Sequence, residues 1–396
     1  MTRRGARTVA GEAPTLHHQH VRLYEQVRSA HLERARDLAP AAIVYRVKRY
    51  DFDPALTDGV ELAQAGTLAA ARLAMRSHIT RVEVDEPLYL DSLPRTAAVL
   101  AVLGMKRLGG APRAEIATYA IEDLDPFAAR PPRVRSRVRR SLERVLAGYI
   151  WHRLDTVVYG TSEAGALYGS TFRHSPRRQL TVEALPSPCA CLDHPAGSDT
   201  AAADDTADDG ASTGPVRRDP DSVLFLGSFS PRKGFADVLE AWPAILSRHP
   251  GARLTIVGSG ELLPQAEAAA AADPSIRLIV DPARSVVHDE LRRAHVLVLP
   301  SRRVGTWREQ VGLPIVEGLA HGCEIVTTSE TGIAEWLIDA GHVVLPAEVL
   351  SAGLADGVVD ALVNPRTSDD ILADLPGVDG RIAAGRALFR EAGARP

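Results

Sequence analysis

Glu309 and Glu317 stand seven residues apart in the stretch His295–Gly322, HVLVLPSRRVGTWREQVGLPIVEGLAHG. Upstream, Lys233 is followed directly by Gly234. Carboxylates of this kind accept hydrogen bonds from hydroxyls and repel phosphate, whereas a lysine attracts it. The stretch itself predicts what positions these groups. Its apolar start is short enough for a buried strand, and Pro300 and Ser301 break it. A polar loop then leads to Pro314, which suits the first position of a helix that Gly322 stops. Such a strand, loop and helix unit turns its free helix N–H groups, with their partial positive charge, toward a crevice at the carboxyl end of a sheet.

The remainder of the chain must supply that sheet. With 396 residues, 45% apolar and 24% charged, it belongs to the globular class and is long enough for two or three domains. No window is apolar enough for a membrane span, and the start MTRRGARTVAGEAP lacks a signal peptide's apolar core, so a cytoplasmic location is expected. The three cysteines, Cys189, Cys191 and Cys323, form no disulfide framework. Cys-Ala-Cys without further Cys or clustered His predicts free thiols rather than zinc. A net charge of -4 speaks against general nucleic-acid binding.

Strand-like and helix-like segments alternate through the first half. Strands are predicted at 8–12, 42–47, 79–84, 115–121, 156–160 and 180–185, with helices at 21–38, 60–76, 96–108, 134–152 and 163–168. From His194 to Asp221 there is almost nothing to bury, which predicts a flexible acidic linker. The alternation then restarts, with strands at 223–226, 253–257, 276–280, 296–299, 324–328 and 342–345. Helices are predicted at 235–247, 262–272, 287–294, near Ile333, at 350–363 and at 381–392. This pattern predicts an α/β chain of two Rossmann-type domains facing each other across a cleft, over residues 1–192 and 222–396, joined by the linker 193–221.

Six features occur in order, each at the edge of a predicted strand: Lys233-Gly234, Gly258-Ser259-Gly260, Pro300-Ser301, Glu309 to Glu317, Gly322, and Gly332 with Glu335. Together they resemble the donor-binding domain of retaining GT-B fold glycosyltransferases of family 4, over about residues 223–361. The resemblance implies transfer of a sugar from a nucleoside diphosphate sugar, the co-substrate, to an acceptor hydroxyl with retention. It implies no separate cofactor and no metal. Lys233 and the amides around Gly312, Leu313 and Pro314 would then cradle the diphosphate, Glu309 would take the donor sugar hydroxyls, and Glu317 the ribose. Gly258 and Gly260 would let the backbone pass close to the nucleotide, with Gly227 and Ser259 also at the nucleotide. The family's arginine after the first glycine is Ser228 here. Arg232 either supplies that charge or is an ordinary loop arginine.

The first half resembles the family only in architecture, and it should hold the acceptor. His17, His18 and His20 occupy the place of a Gly-Gly loop, where hydrogen bonding in the cleft is favoured over metal. Glu83, Asp85 and Glu86 follow one predicted strand, and Glu122, Asp123 and Asp125 another; acceptor contacts and helix capping are equally open for them. Asp51-Phe52-Asp53 and Asp123-Leu124-Asp125 mimic the Asp-x-Asp metal site of the other large glycosyltransferase fold, but nothing else fits it. The arginine-rich helix carries Val134, Val138, Leu142, Val145 and Tyr149 on one face. A core-facing stripe with a solvated basic face is favoured there over contact with an anionic membrane or acceptor. A sugar-nucleotide epimerase and a non-catalytic sugar-nucleotide-binding partner protein are the alternative functions. Nothing in the sequence names the acceptor or the oligomeric state.

Overall fold

In a computed structural model, each sheet grows outward in two directions from its first strand. The structure describes residues 15–49, 52–128, 133–192, 217–305 and 307–389. The chain divides into two units. The first takes in the described residues up to Gly160, Gly165–Thr181 and those from Ile382; the second comprises Thr161–Ala164 and Val182–Arg381. The sequence placed the first boundary at 192 instead of Thr181, and gave the chain beyond Ile382 to the second domain.

In unit 1 the strands are β1 (His20–Val27), β2 (Ala42–Lys48), β3 (Leu62–Gln64), β4 (Arg81–Val84), β5 (Glu115–Ala120), β6 (Thr156–Tyr159) and β7 (Arg178–Thr181). They form one parallel sheet in the order β3-β2-β1-β4-β5-β6-β7. The helices in this part of the chain are α1 (Ser29–Asp37), α2 (Thr67–Arg76), α3 (Leu93–Leu108), α4 (Val134–Arg153) and α5 (Ser162–Thr171). Parallel neighbours require such crossovers.

The largest departure from the sequence reading is β1. A helix is predicted from Val21 to Leu38, but His20–Val27 is the central strand and the helix begins only at Ser29. Central strands are buried on both faces, so no alternation shows. Here the buried residues include Arg22 and Glu25. Arg22 pairs with Glu83 at 3.3 Å, and Glu25 with Arg95 at 3.2 Å and Arg46 at 3.0 Å. Charges satisfied inside the core imitate the polar face of a helix. The predicted helix 60–76 is likewise β3 followed by α2, and the predicted strand 180–185 is β7, shifted to Arg178–Thr181. The predicted strand 8–12 lies outside the described residues.

Unit 2 holds β8 (Asp219–Leu226), β9 (Arg253–Gly258), β10 (Ile276–Val280), β11 (Ala294–Leu299), β12 (Glu324–Thr328) and β13 (Val343–Leu345), all parallel, in the order β10-β9-β8-β11-β12-β13. This is the Rossmann order, whose switch point lies between β8 and β11. Helices α6 (Phe235–Arg248), α7 (Leu263–Ala272), α8 (Arg284–Arg293), α9 (Leu313–Ala320), α10 (Ala334–Asp339), α11 (Leu350–Val363) and α12 (Ser368–Ala373) follow. The last helix, α13 (Gly380–Ala387), closes the described chain. Strand β8 starts at Asp219, inside the stretch read as linker. Helix α12 escaped the sequence reading; it starts on a capping box between Thr367 and Asp370.

Candidate donor site in the second unit

Strand β8 ends at Leu226, and the loop after it is sewn to the loop after β9. Gly227 N–H donates to Val257 O at 3.0 Å, and Phe229 N–H to Ser259 O at 2.8 Å. Gly258 sits at φ +141° with Gly227 O where a Cβ would stand, so only glycine permits this approach. Phe229 and Phe235 are fully buried and stack at 4.7 Å, which anchors both ends of the polar loop. Between them Pro231–Lys233 makes one 3-10 turn, and Gly234 ends it at φ +67° against Pro300 O. Lys233, at 8% exposure, is thereby turned inward toward the end of β11.

Glu309 meets it there. Lys233 Nζ donates to Glu309 Oε2 in a buried ion pair, and Ser301 Oγ donates to the same oxygen at 3.2 Å. The Glu309 backbone is pinned from the other side, its carbonyl accepting from Gly332 N–H at 3.1 Å beside a bridge to Thr331. Thr331 Oγ1 donates to Val311 O at 2.8 Å. The predicted Gly332 therefore serves the loop that carries Glu309.

Helix α9 begins at Leu313, one residue before the Pro314 start expected from sequence, after Gly312 at φ +84°. Its first N–H groups have no intrahelical acceptor, which makes this end receptive to anions. Glu317 lies in α9 with its carboxylate on Arg284 at 2.7 Å. That arginine opens α8 and is exposed, so the pair is solvent-screened.

Three residues settle differently from a free phosphate cradle. Arg232 lies over the Trp307 ring at 4.5 Å, with Lys233 5.5 Å from the same centroid. Ser228 Oγ donates to Ser230 Oγ at 2.9 Å, and Ser259 Oγ to Asp281 Oδ1 at 2.7 Å. Trp307 was missed in the sequence. Its signal was a lone tryptophan inside an otherwise polar loop.

Residues 220–364 match the family described as "Glycosyl transferases group 1". The second unit carries a glycosyl transferases group 1 domain. Over 177 residues the chain is 33% identical to a phosphatidyl-myo-inositol mannosyltransferase of Mycobacterium tuberculosis, covering 43% of this chain and 42% of that one. It is 31% identical over 160 residues to a glycogen synthase of the same species, covering 38% and 36%. The chain thus spans less than half the length of the curated relatives it matches. Among solved structures, the apo lipopolysaccharide outer core galactosyltransferase WaaB shares the GT-B fold at a TM-score of 0.60 and 11% identity, over 89% of this chain and 93% of that one.

Outside the group 1 domain, the residues proposed for the acceptor separate. His17 and His18 precede β1, so they lie at the amino-end edge of the first sheet, opposite the strand ends where the sequence reading put them. There the backbone N–H groups of His17 and His18 and the His18 ring all meet the Glu61 carboxylate. His20, the first residue of β1, packs edge-on against Phe389 at 4.8 Å, and burial depresses its pKa to about 3. The carboxylates are at the carboxyl ends. Glu86 Oε2 accepts from the N–H groups of Ile121 and Glu122 and from Tyr168 Oη, all at 2.9 Å. Asp85 Oδ2 accepts from Glu25 N–H at 2.6 Å. Burial raises both Asp85 and Glu86 to about 7. Of the Asp-x-Asp decoys, Asp53 caps a short turn through Ala55 N–H and Asp125 does the same through Phe127 N–H, while Asp51 lies outside the described residues. Glu122 and Asp123 are half-buried beside them.

The favoured reading of the arginine-rich helix is overturned. Val134, Val138, Leu142 and Val145 of α4 are 70%, 56%, 60% and 68% exposed, and only Ala147, Ile150 and Trp151 near its end are buried. Its periodicity was real, but the core it pointed to covers only the last turns. A concavity of about 940 Å³ in unit 1, lined by Leu108, Arg113, Tyr149, Arg153 and His174 among others, contains none of the predicted site residues.

Proposed function

We propose that the protein is a glycosyltransferase that moves a sugar from a nucleoside diphosphate sugar to an acceptor hydroxyl, with retention and with no metal ion on the diphosphate. The observation that carries this reading is the buried Lys233–Glu309 pair at the ends of β8 and β11, on the loop that leads into the free N-terminus of α9. An ammonium has three donors. One is spent on Glu309, which leaves two for diphosphate oxygens as negative charge develops on the leaving group. Glu309 fixes the direction of Lys233 and has lone pairs left for donor sugar hydroxyls; Glu317 is assigned to the ribose. In the transfer itself, the bond from the sugar C1 to the phosphate oxygen breaks with its electron pair going to phosphate. The acceptor oxygen bonds C1 from the same face and passes its proton to that phosphate oxygen, so no protein base is needed.

The test begins with UDP, GDP, ADP and dTDP sugars in thermal-shift measurements, where a specific donor raises Tm by mass action. With that donor, Lys233→Ala and Glu309→Ala should abolish transfer, chelator should leave it unchanged, and the product should keep the donor's anomeric configuration. Wild-type rates in both variants would refute the site.

The exposed α4 face supports a further part of this reading. Apolar side chains set among Arg135, Arg137, Arg139, Arg140 and Arg144 suit the boundary of an anionic membrane. A relative named for phosphatidyl-myo-inositol is consistent with an acceptor presented at such a surface.

A further inference from the structure

Four potential metal ligands that are dispersed in the sequence converge in unit 2. Cys189 precedes a single 3-10 turn, Ala190–Leu192, and Cys191 is its middle residue; His288 lies on α8 and His321 caps the C-terminus of α9. One ligand atom from each lies within 4.8 Å of all the others. His321 Nε2 is 3.2 Å from Cys191 Sγ and 3.1 Å from His288 Nδ1. His288 Nδ1 is in turn 3.8 Å from Cys191 Sγ and 4.0 Å from Cys189 Sγ. A tetrahedral zinc ion with bonds of about 2.0–2.3 Å spaces its nitrogen and sulfur ligands about 3.3–3.8 Å apart, so these separations are near those a cation needs.

The surroundings orient the ligands. His321 Nδ1 meets Glu317 O at 2.7 Å. A carbonyl only accepts, so Nδ1 carries the proton and the Nε2 lone pair points into the cluster, the arrangement typical of a metal-bound histidine. Cys189 N–H donates to Ala320 O at 2.8 Å, and Arg292 Nη2 to Cys191 O at 3.1 Å, so the cysteine turn is held against both helices by its backbone.

The two sulfurs are joined as a disulfide in this structure. A small-molecule thiol would open it, the disulfide taking two electrons and two protons while the reductant becomes a disulfide. We propose that the reduced protein binds one zinc-class divalent cation through Cys189 Sγ, Cys191 Sγ, His288 Nδ1 and His321 Nε2. Each thiol gives up its proton to solvent as its metal–sulfur bond forms. Four protein ligands close the coordination shell, so the ion is structural and takes no part in sugar transfer. It clamps the 189–192 turn to α8 and to the end of α9 opposite the anion-receptive one.

The experiment uses the full chain, reduced with a phosphine, loaded with Zn²⁺ or Co²⁺ and desalted. Elemental analysis should give one Zn²⁺ per chain, and Co²⁺ should show thiolate-to-metal charge transfer with tetrahedral d–d bands. Cys191→Ser and His288→Gln should each weaken Zn²⁺ binding by about 100-fold or more, whereas Cys323→Ser, a thiol outside the cluster, should not. Wild-type protein that takes up no Zn²⁺ after reduction, or Co²⁺ spectra without a thiolate band, would overturn the proposal. So would undiminished binding in folded Cys191→Ser and His288→Gln variants. Should either variant fail to fold, the wild-type Co²⁺ spectrum decides alone.

Discussion

Lys233 Nζ reaches Glu309 Oε2 across 76 residues of chain, and both side chains are about nine-tenths buried. Removing one partner of a buried pair strands the other charge, at a cost of about 3–5 kcal/mol. Glu309→Ala should therefore lower Tm by roughly 10 °C for a domain of this size. The double variant Lys233→Met/Glu309→Leu should recover most of that loss and still transfer no sugar. Calorimetry and a transfer assay separate the two effects. If the losses simply add in the double variant, the two residues are not coupled.

Arg232 is held over Trp307 at 4.5 Å, a contact worth about 0.5–1 kcal/mol at an exposed site. If that stacking aims the guanidinium at the diphosphate, Trp307→Ala and Arg232→Ala should each weaken donor binding about 2–5-fold, by titration calorimetry. The pair together should lose no more than either alone, and Trp307→Phe should retain most of the affinity.

Asp85 and Glu86 have folded pKa values of about 7 against ordinary values of 3.8 and 4.5. An acid whose pKa rises on folding holds its proton better in the native state, so its contribution to stability falls as pH rises from about 4 through 7. Asp85→Asn keeps an acceptor for Glu25 N–H and cannot ionise. It should raise Tm by about 2–4 °C or more at pH 8 and by little at pH 4.5, measured by circular dichroism. An equal effect at both pH values would contradict the burial argument.

Val138 and Leu142 of α4 are more than half exposed, so Val138→Asp/Leu142→Asp should leave stability within about 0.5 kcal/mol. Cosedimentation with vesicles containing anionic phospholipid should fall sharply in this variant, and wild-type binding should weaken with salt. Binding equal to wild type would remove α4 from any membrane role.

The candidate site was legible because its residues sit at strand ends of a regular parallel sheet. Pro300-Ser301 and Gly258 mark strand ends, and a strand followed by a helix already fixes where Glu309 and Lys233 must fall. Strand β1 was illegible for the opposite reason: its Arg22 and Glu25 are satisfied by Glu83 and Arg95, distant partners that no local pattern announces. The Cys–His cluster was hidden in the same way, since Cys191 meets residues 97 and 130 positions away. The histidines at 17, 18 and 20 were assigned to the wrong edge because β1 itself was read as a helix. Trp307 meets Arg232 through its ring face, a contact that no motif announces.

The outermost strands carry one more consequence. Both sheets end on short pieces, β3 and β13 with three residues each, β7 with four and β10 with five. Such margins offer few unpaired backbone groups for a strand of another copy to add to, which guards the native state against edge-to-edge stacking. The long apolar segments are the central strands, paired on both sides. Aggregation on heating should thus begin only once a sheet has opened, and the native fold should stay clear of it at high concentration.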